Sequence, residues 1–135
     1  MKIAVIIVTY NAVKWIDKCI KPLTDVTEDR KVYIIDNGST DGTQEIMKSN
    51  YPQFIFHETN QNLGFGKANN LGLKMALEDG ADYFFLLNQD AYLSWDNIIK
   101  LALIQSQNQE YGVLSPIQMY DENTLDYMHY LHLHN

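Results

Sequence analysis

The sequence predicts an α/β fold in which a mainly parallel sheet is flanked by helices. Short apolar runs alternate along the chain with segments whose apolar residues recur at helical spacing. The runs are apolar at successive positions, as expected of strands that are buried on both faces. A polar, turn-rich segment follows most of the runs, and no repeat or low-complexity tract interrupts the order. Strands that each precede a helix pair in parallel through right-handed crossovers.

The individual elements follow in chain order. Strands are predicted over residues 2–8, 31–35, 54–57 and 82–87, with a fifth at 113–117. Helices are predicted over residues 12–20, 43–49, 65–77 and from Ser94, a good N-cap, to about residue 106. Pro22 limits the first helix because its ring cannot continue one, and Gly80 closes the third. Strand 82–87 is the most apolar and is expected to be buried.

Length and charge restrict the class of protein. The 135 residues suit one domain with a core of its own. Ten basic and 17 acidic residues give a net charge of −7, which argues against broad contact with nucleic acid or anionic lipid. Cys19 is the single cysteine, so no internal disulfide forms. The apolar run 3–8 is too short to span a bilayer, and we expect a cytoplasmic protein.

Ligands of parallel α/β sheets bind beyond the carboxyl ends of the strands. The corresponding segments here are residues 9–11, 36–40, 58–66 and 88–90. The first lacks the glycines of a dinucleotide site, and the sequence contains no P-loop, no serine-hydrolase elbow and no complete calcium loop. A nucleotide-sugar site remains as the candidate.

The first two segments carry side chains suited to a nucleotide base. Thr9 offers a hydroxyl, Tyr10 an aromatic face, and Asp36 a carboxylate that can accept the ring N–H of a pyrimidine. The alternative is structural: an ordinary turn in which Asn11 caps a helix and Asp36 binds nearby main-chain amides.

The segment Asn88-Gln89-Asp90 suits a hard divalent cation. Mg²⁺ or Mn²⁺ takes one or two protein carboxylates and fills its shell with water and substrate phosphates. Asp90 fits that role, and Asn88 can add an amide oxygen or hold a sugar hydroxyl. The alternative is that Asp90 only begins the next helix, although Ser94 is available as its cap.

Together these segments resemble the family 2 glycosyltransferases with a GT-A fold, and most closely their bacterial rhamnosyltransferase-like branch. The matching motifs cover most of residues 1–92, and they are Val5–Asn11, Ile34–Thr43, Asn62–Gly72 and Leu86–Ala91. The resemblance implies a UDP- or dTDP-sugar donor, a Mg²⁺ or Mn²⁺ ion, and sugar transfer to a hydroxyl acceptor in surface polysaccharide synthesis.

The resemblance also implies residue roles. The donor-binding residues are Thr9, Tyr10, Asn11, Asp36, Asn62, Gly64, Lys67 and Asn88. Within this set Thr9, Tyr10 and Asp36 hold the base, and Asn62 and Gly64 shape the loop beside the nucleotide. Asp90 takes the metal-binding place of the family's Asp-x-Asp motif, whose first acid is Asn88 here. Lys67 lies near Asn69, where many relatives carry an arginine; a solvated helix face is the alternative for this lysine.

Members of this family are considerably longer, and their second half supplies the acceptor surface and the catalytic carboxylate. We therefore assign no catalytic base and expect a truncated GT-A fold, with a nucleotide-sugar-binding subdomain at residues 1–120. A polar, poorly ordered tail is expected at 121–135, and the alternative for its His129, His132 and His134 is a metal site.

Two further functions stay open on the sequence. One is a catalytically inactive nucleotide-binding or interaction module, which the missing base favours. The other is a nucleotidyltransferase, although the glycine-rich basic loop typical of that class is missing after the first strand. Apolar surface that the second half would cover predicts a homodimer. Peripheral membrane association is left open.

Overall fold

The computed structural model describes residues 1–119, 121, 122 and 124. Strands and helices alternate along the chain. In order they are β1 (Ile3–Thr9), α1 (Ile16–Ile20), a 3-10 turn (Lys21–Leu23), β2 (Arg30–Asp36), α2 (Thr43–Asn50), β3 (Ile55–Glu58), α3 (Phe65–Glu78), β4 (Tyr83–Asn88) and α4 (Trp95–Gln107). The predicted α/β class is confirmed, as are four of the predicted strands.

The four strands form one parallel sheet in the order β3-β2-β1-β4. In this register Thr9 is the partner of Asp36, and Val8 is the partner of Asn88. Parallel pairing brings the carboxyl ends of all four strands to one edge of the sheet. The polar segments that follow the strands therefore meet there.

The core is built on β1, whose seven residues are all buried. The helix α3 packs against β1 and β2, and its Ala76 contacts a cluster that contains Ala4, Ile6 and Tyr33. Gly72 faces the sheet in the middle of α3, where a Cβ atom would lie 2.6 Å from Cγ2 of Ile6. A helix can approach the sheet this closely only where it has no side chain.

The strand β4 differs from the expectation of a strand buried on both faces. It lies at the edge of the sheet, and Phe84 and Leu86 are 38% and 50% exposed. These two residues are the register partners of Ala4 and Ile6, so they share the sheet face on which α3 packs. Because α3 contacts mainly β1 and β2, that face of β4 stays exposed.

Two other expectations are corrected. The first helix begins at Ile16 rather than near residue 12, and Val13 is exposed as a result. The predicted fifth strand at 113–117 does not form: Val113 and Ile117 are 87% and 70% exposed, and Pro116 has no amide to donate to a strand ladder.

Contacts divide the chain into two compact units, one at Met1–Ile99 and one that begins at Lys100. The predicted boundary near residue 120 stays a prediction, and the three histidines at 129, 132 and 134 lie outside the described residues. Among the helices of the described residues, none is long and apolar enough to cross a membrane.

Candidate functional site

A cavity of about 380 Å³ opens at the carboxyl edge of the sheet. It lies where the sequence predicts a ligand site. Its lining residues come from the ends of β1, β2 and β4 and from the start of α3, and they are Val8, Tyr10, Trp15, Asn37, Asn62, Phe65, Asn88, Gln89 and Asp90.

Some of the predicted site residues line this cavity, and others do not. Those that line it are Tyr10, Asn62, Asn88 and Asp90. Those that do not are Thr9, Asn11, Asp36, Gly64 and Lys67. The roles of both groups in binding stay predictions.

Asp36 is fully buried, and its carboxylate faces donors of the protein itself. The hydroxyls of Thr9 and Ser39 donate to Oδ1 at 2.8 and 2.6 Å. The main-chain N–H of Ser39 and the side-chain amide of Gln44 donate to Oδ2 at 2.9 and 2.8 Å. Burial alone would raise the pKa of Asp36, but these hydrogen bonds outweigh it and lower the pKa. An ionised Asp36 thus fixes the loop that follows β2.

Asn37, one residue beyond Asp36, lines the cavity in its place. Its Oδ1 accepts a hydrogen bond from the main-chain N–H of Leu63 at 3.1 Å, and its Nδ2 donates to the Gly64 carbonyl at 3.2 Å. The next residue, Gly38, has a φ of +85°, and a Cβ there would lie 3.3 Å from the main chain of Gln61. Only glycine suits both conditions, so Gly38 lets the loops after β2 and β3 meet.

Asn11 and Asn62 act on the main chain around them. Asn11 adopts a φ of +46°, and its Oδ1 accepts a hydrogen bond from the Thr40 amide at 2.9 Å. The Oδ1 of Asn62 accepts from the Gly64 amide at 2.8 Å, just before α3 begins. Asn11 therefore joins the loops after β1 and β2 and does not cap α1, which begins at Ile16.

The end of the cavity formed by β4 carries the negative charge. Of the described residues that line the cavity, Asp90 alone is charged. Asp90 and Asn88 are both exposed, and no hydrogen bond or ion pair from a described residue occupies the Asp90 carboxylate. No cluster of three or more metal-ligating side chains occurs in the described part of the chain. A single free carboxylate beside an amide suits Mg²⁺ or Mn²⁺, which keep water and phosphate ligands.

Cys19 contacts the residues at this end of the cavity but does not line it. The thiol is buried and donates to the Asn88 carbonyl at 3.5 Å. Burial, together with the nearby charge of Asp90, raises the pKa of the Cys19 thiol to about 12. The thiol therefore stays protonated near neutral pH.

Gln89 connects the loops after β1 and β4. Its Oε1 accepts a hydrogen bond from the Tyr10 main-chain N–H at 2.9 Å, and its Nε2 donates to the Tyr10 carbonyl at 3.2 Å. Tyr10 is 47% exposed and lines the cavity.

Five lining residues received no individual role from the sequence. Asn37, Phe65 and Gln89 lie inside the strand-end segments 36–40, 58–66 and 88–90 that were predicted to meet a ligand, whereas Val8 and Trp15 lie outside them. Trp15 and Phe65 add two exposed aromatic side chains, and Lys14 places its Nζ 4.7 Å from the Trp15 ring centroid. Val8 contributes from within β1. Trp15 and Phe65 reach the cavity because of where α1 and α3 begin.

A parallel sheet with a polar cavity at its carboxyl edge, and with a strand-end Asp90 in that cavity, is the arrangement of the GT-A class of nucleotide-sugar transferase folds. The family profile named "Glycosyl transferase family 2" matches residues 4–134. The chain therefore belongs to glycosyl transferase family 2.

Relatives by sequence are much longer than this chain. An uncharacterized glycosyltransferase of Rickettsia conorii is 35% identical over 112 residues, which is 79% of this chain and 18% of that protein. A teichoic acid poly(glycerol phosphate) polymerase of Staphylococcus epidermidis is 27% identical over 127 residues, or 88% of this chain and 16% of the polymerase. The chain thus spans less than a fifth of the length of either relative.

Solved structures share the fold. TarS 1-349 of S. aureus, in complex with UDP-GlcNAc, aligns with a TM-score of 0.68 and 24% identity over 90% of this chain and 39% of that chain. The mannosyltransferase PcManGT of Pyrobaculum calidifontis, in complex with GDP-Man and Mn²⁺, aligns with a TM-score of 0.61 and 23% identity over 76% of this chain and 31% of that one.

Proposed function

We propose that this chain holds a UDP- or dTDP-sugar together with Mg²⁺ or Mn²⁺, as the donor-binding part of a glycosyltransferase that acts in surface polysaccharide synthesis. The observation that carries the proposal is the cavity at the carboxyl edge, whose lining combines aromatic and amide side chains with one carboxylate, that of Asp90. Such a combination suits a ligand with a flat base and a diphosphate.

The base is proposed to lie against Tyr10 and Asn37. The half-exposed Tyr10 ring offers a face for stacking. Each polar atom of the Asn37 amide has one hydrogen-bonding position beyond the bonds to Leu63 and Gly64, so the amide can pair with a base edge. Thr9 and Asp36 contribute from behind the wall, where their hydrogen bonds hold the loop that carries Asn37.

The diphosphate is proposed to lie at the end of the cavity that β4 forms. Asp90 would hold the metal ion through its carboxylate, with the Asn88 amide beside it, because both side chains are exposed in the cavity. When bound, the metal neutralises charge on the departing diphosphate. The GDP-Man and Mn²⁺ bound to PcManGT support this assignment.

The acceptor side is a proposal for the longer protein of which such a domain is part. Among the described residues, the cavity has no second carboxylate to take the proton of an acceptor hydroxyl. The teichoic acid polymerase relative supports a polymer of the cell surface as acceptor. The rhamnosyltransferase-like branch, a homodimer, peripheral membrane association and a cytoplasmic location stay predictions.

A nucleotide-binding or interaction module without turnover is the second candidate. The observation that favours it is the same single carboxylate, which cannot serve as metal ligand and base at once. Release of the sugar from a labelled nucleotide-sugar in the presence of Mn²⁺ separates the two functions.

Donor binding is tested by calorimetric titration with UDP, dTDP and GDP, each with and without Mn²⁺. We expect Mn²⁺ to strengthen the binding of UDP or dTDP by about ten-fold or more in the unmodified protein. We expect Asp90→Ala to abolish this gain and to leave the weaker metal-free binding. Asp29→Ala, an exposed aspartate outside the cavity, is the matched control.

Each other result identifies the part of the proposal that fails. An equal Mn²⁺ effect in Asp90→Ala would remove Asp90 as the metal ligand. Tighter binding of GDP than of UDP and dTDP would contradict a pyrimidine donor. No binding of any of the three nucleotides would overturn the proposed function.

A further inference from the structure

The Gln89 carboxamide continues the sheet beyond the last main-chain pair of β1 and β4. The ladder between these strands ends at Val8 and Asn88. Two residues past Val8, both main-chain groups of Tyr10 bind the Gln89 side chain, the N–H at 2.9 Å and the carbonyl at 3.2 Å. A carboxamide carries the same donor and acceptor as a peptide group. The Gln89 side chain therefore makes the two hydrogen bonds to Tyr10 that the main chain of another paired residue in β4 would make.

This contact holds the main chain of Tyr10 itself from the β4 side. On the β2 side its two neighbours are held instead: the Asn37 amide donates to the Thr9 carbonyl at 2.8 Å, and the Asn11 amide donates to a hydroxyl of the loop after β2 at 2.9 Å. Tyr10 is 47% exposed and lines the cavity. Between these two anchored neighbours, the Gln89 carboxamide binds both main-chain groups of Tyr10.

Gln89 also stands between the two residues that line the diphosphate end of the cavity, Asn88 and Asp90. Its side chain consequently joins the loop proposed to hold the metal ion to the residue proposed to stack on the base. Because Gln89 itself lines the cavity, a direct contact with ligand must be separated from an effect through Tyr10.

We propose that Gln89 is a positioning residue that acts through the main chain of Tyr10 to set the ring for base stacking. This inference rests on the proposed function. It predicts that base affinity depends on a side chain in the metal-binding segment, even for a ligand that has no phosphate.

The two hydrogen bonds can be removed separately. Gln89→Met keeps the length of the side chain and removes both bonds. Gln89→Glu keeps an acceptor for the Tyr10 N–H but cannot donate to the Tyr10 carbonyl near neutral pH, where the new carboxyl is ionised. Gln53→Met is the matched control, since Gln53 is exposed and does not line the cavity.

The first measurement needs no ligand. Amide hydrogen exchange at Tyr10, followed by NMR, reports directly on the bond to Gln89. We expect exchange to be about ten-fold faster in Gln89→Met than in the unmodified protein, and to stay slow in Gln89→Glu and Gln53→Met. An unaltered Tyr10 exchange rate in Gln89→Met would show that the Gln89 side chain does not hold the Tyr10 main chain, and would overturn the inference.

The second measurement is the affinity for uridine, which avoids any effect of the added charge on phosphate, by NMR titration. We expect uridine to bind about five-fold more weakly or worse to Gln89→Met, and by a smaller factor to Gln89→Glu. In a Tyr10→Ala background, we expect Gln89→Met to have no further effect, because the ring that it positions is gone.

The outcomes separate this inference from the proposed function. Normal uridine binding by Gln89→Met, with normal binding by the unmodified protein, would overturn the positioning role alone. An equal loss in the Tyr10→Ala background would mean that Gln89 contacts the base itself, and would also overturn it. No uridine binding by the unmodified protein would overturn base stacking on Tyr10 and this inference with it, whereas the proposed function is overturned only if UDP and dTDP also fail to bind.

Discussion

The contact between α3 and the sheet at Gly72 allows a stability change to be worked out from distances. In Gly72→Ala the new Cβ would lie 2.6 Å from Cγ2 of Ile6 and 3.2 Å from Cγ1 of Ile35. Ordinary carbon–carbon contacts are about 3.5–4.0 Å, so the helix or the sheet must move by about 1 Å. Both isoleucines are fully buried, and β1 has strands on either side, so neither side chain can move away freely.

Overpacking of this kind costs about 1–3 kcal/mol, and alanine regains about 0.5–1 kcal/mol over glycine within a helix. We therefore expect Gly72→Ala to lower the free energy of unfolding by about 1–2 kcal/mol. Gly66→Ala is the matched control in the same helix, because its Cβ would meet no atom within 4 Å. For this control we expect an increase of about 0.5 kcal/mol.

Urea unfolding followed by circular dichroism measures both variants. With a typical urea slope of about 1–3 kcal/mol/M, we expect the midpoint of Gly72→Ala to fall by roughly 0.5–1 M. A Gly72→Ala midpoint at or above that of the unmodified protein would refute the packing argument. So would a lower midpoint for Gly66→Ala, since the helix preference would then have the wrong sign.

Three other predictions concern buried groups near the candidate site. Asp36→Asn is expected to lower the free energy of unfolding by roughly 2–4 kcal/mol, since charge-assisted hydrogen bonds from Thr9, Ser39 and Gln44 are lost. Urea unfolding measures this change. A loss of stability no greater than that of Asp29→Asn, at an exposed aspartate, would contradict the expectation. The pKa of Asp36 is held below its ordinary value of about 3.9, so this stabilisation is complete above that pH and disappears as the pH falls through the lowered native value. The stability difference between the unmodified protein and Asp36→Asn should thus shrink as the pH falls below about 4, and a constant difference would reject the assigned cause. The pKa of the Cys19 thiol is raised to about 12. We therefore expect Cys19 to react with iodoacetamide at pH 8 far more slowly in the folded protein than in urea. Equal rates would show that the thiol is accessible and ionisable in the folded protein.

The positions of the strands could be predicted because β-branched apolar runs and turn residues are local signals. The strand order could not, since it depends on which helix covers which strand. Phe84 and Leu86 illustrate the difference. Their sequence is as apolar as that of β1, yet they belong to an edge strand whose face α3 leaves exposed. A continuous apolar run indicates a strand but does not state how many neighbours the strand has.

The candidate site was predictable to within one residue at several places. The rule for parallel sheets located the correct edge, but the side chain that lines the cavity after β2 is Asn37 rather than Asp36. Both residues are buried, but the Asp36 carboxylate is taken up by donors of its own loop, whereas Asn37, the first residue after β2, lines the cavity. Trp15 was missed for a related reason: α1 begins at Ile16, and this places Trp15 outside the helix predicted from residue 12.

The position of β4 also has a consequence for the newly made chain. Tyr83–Asn88 is an uncharged hexapeptide without proline, and five of its six residues are aromatic or aliphatic, a composition that favours cross-β stacking between unfolded molecules. Acidic residues bracket it closely, Asp82 before and Asp90 after, and charges in such positions act as gatekeepers against aggregation. The Asp90 carboxylate, which is proposed to hold the metal ion, is therefore also expected to reduce aggregation of the chain before it folds. A neutral residue at position 90 removes one of these two charges as well as the proposed metal ligand.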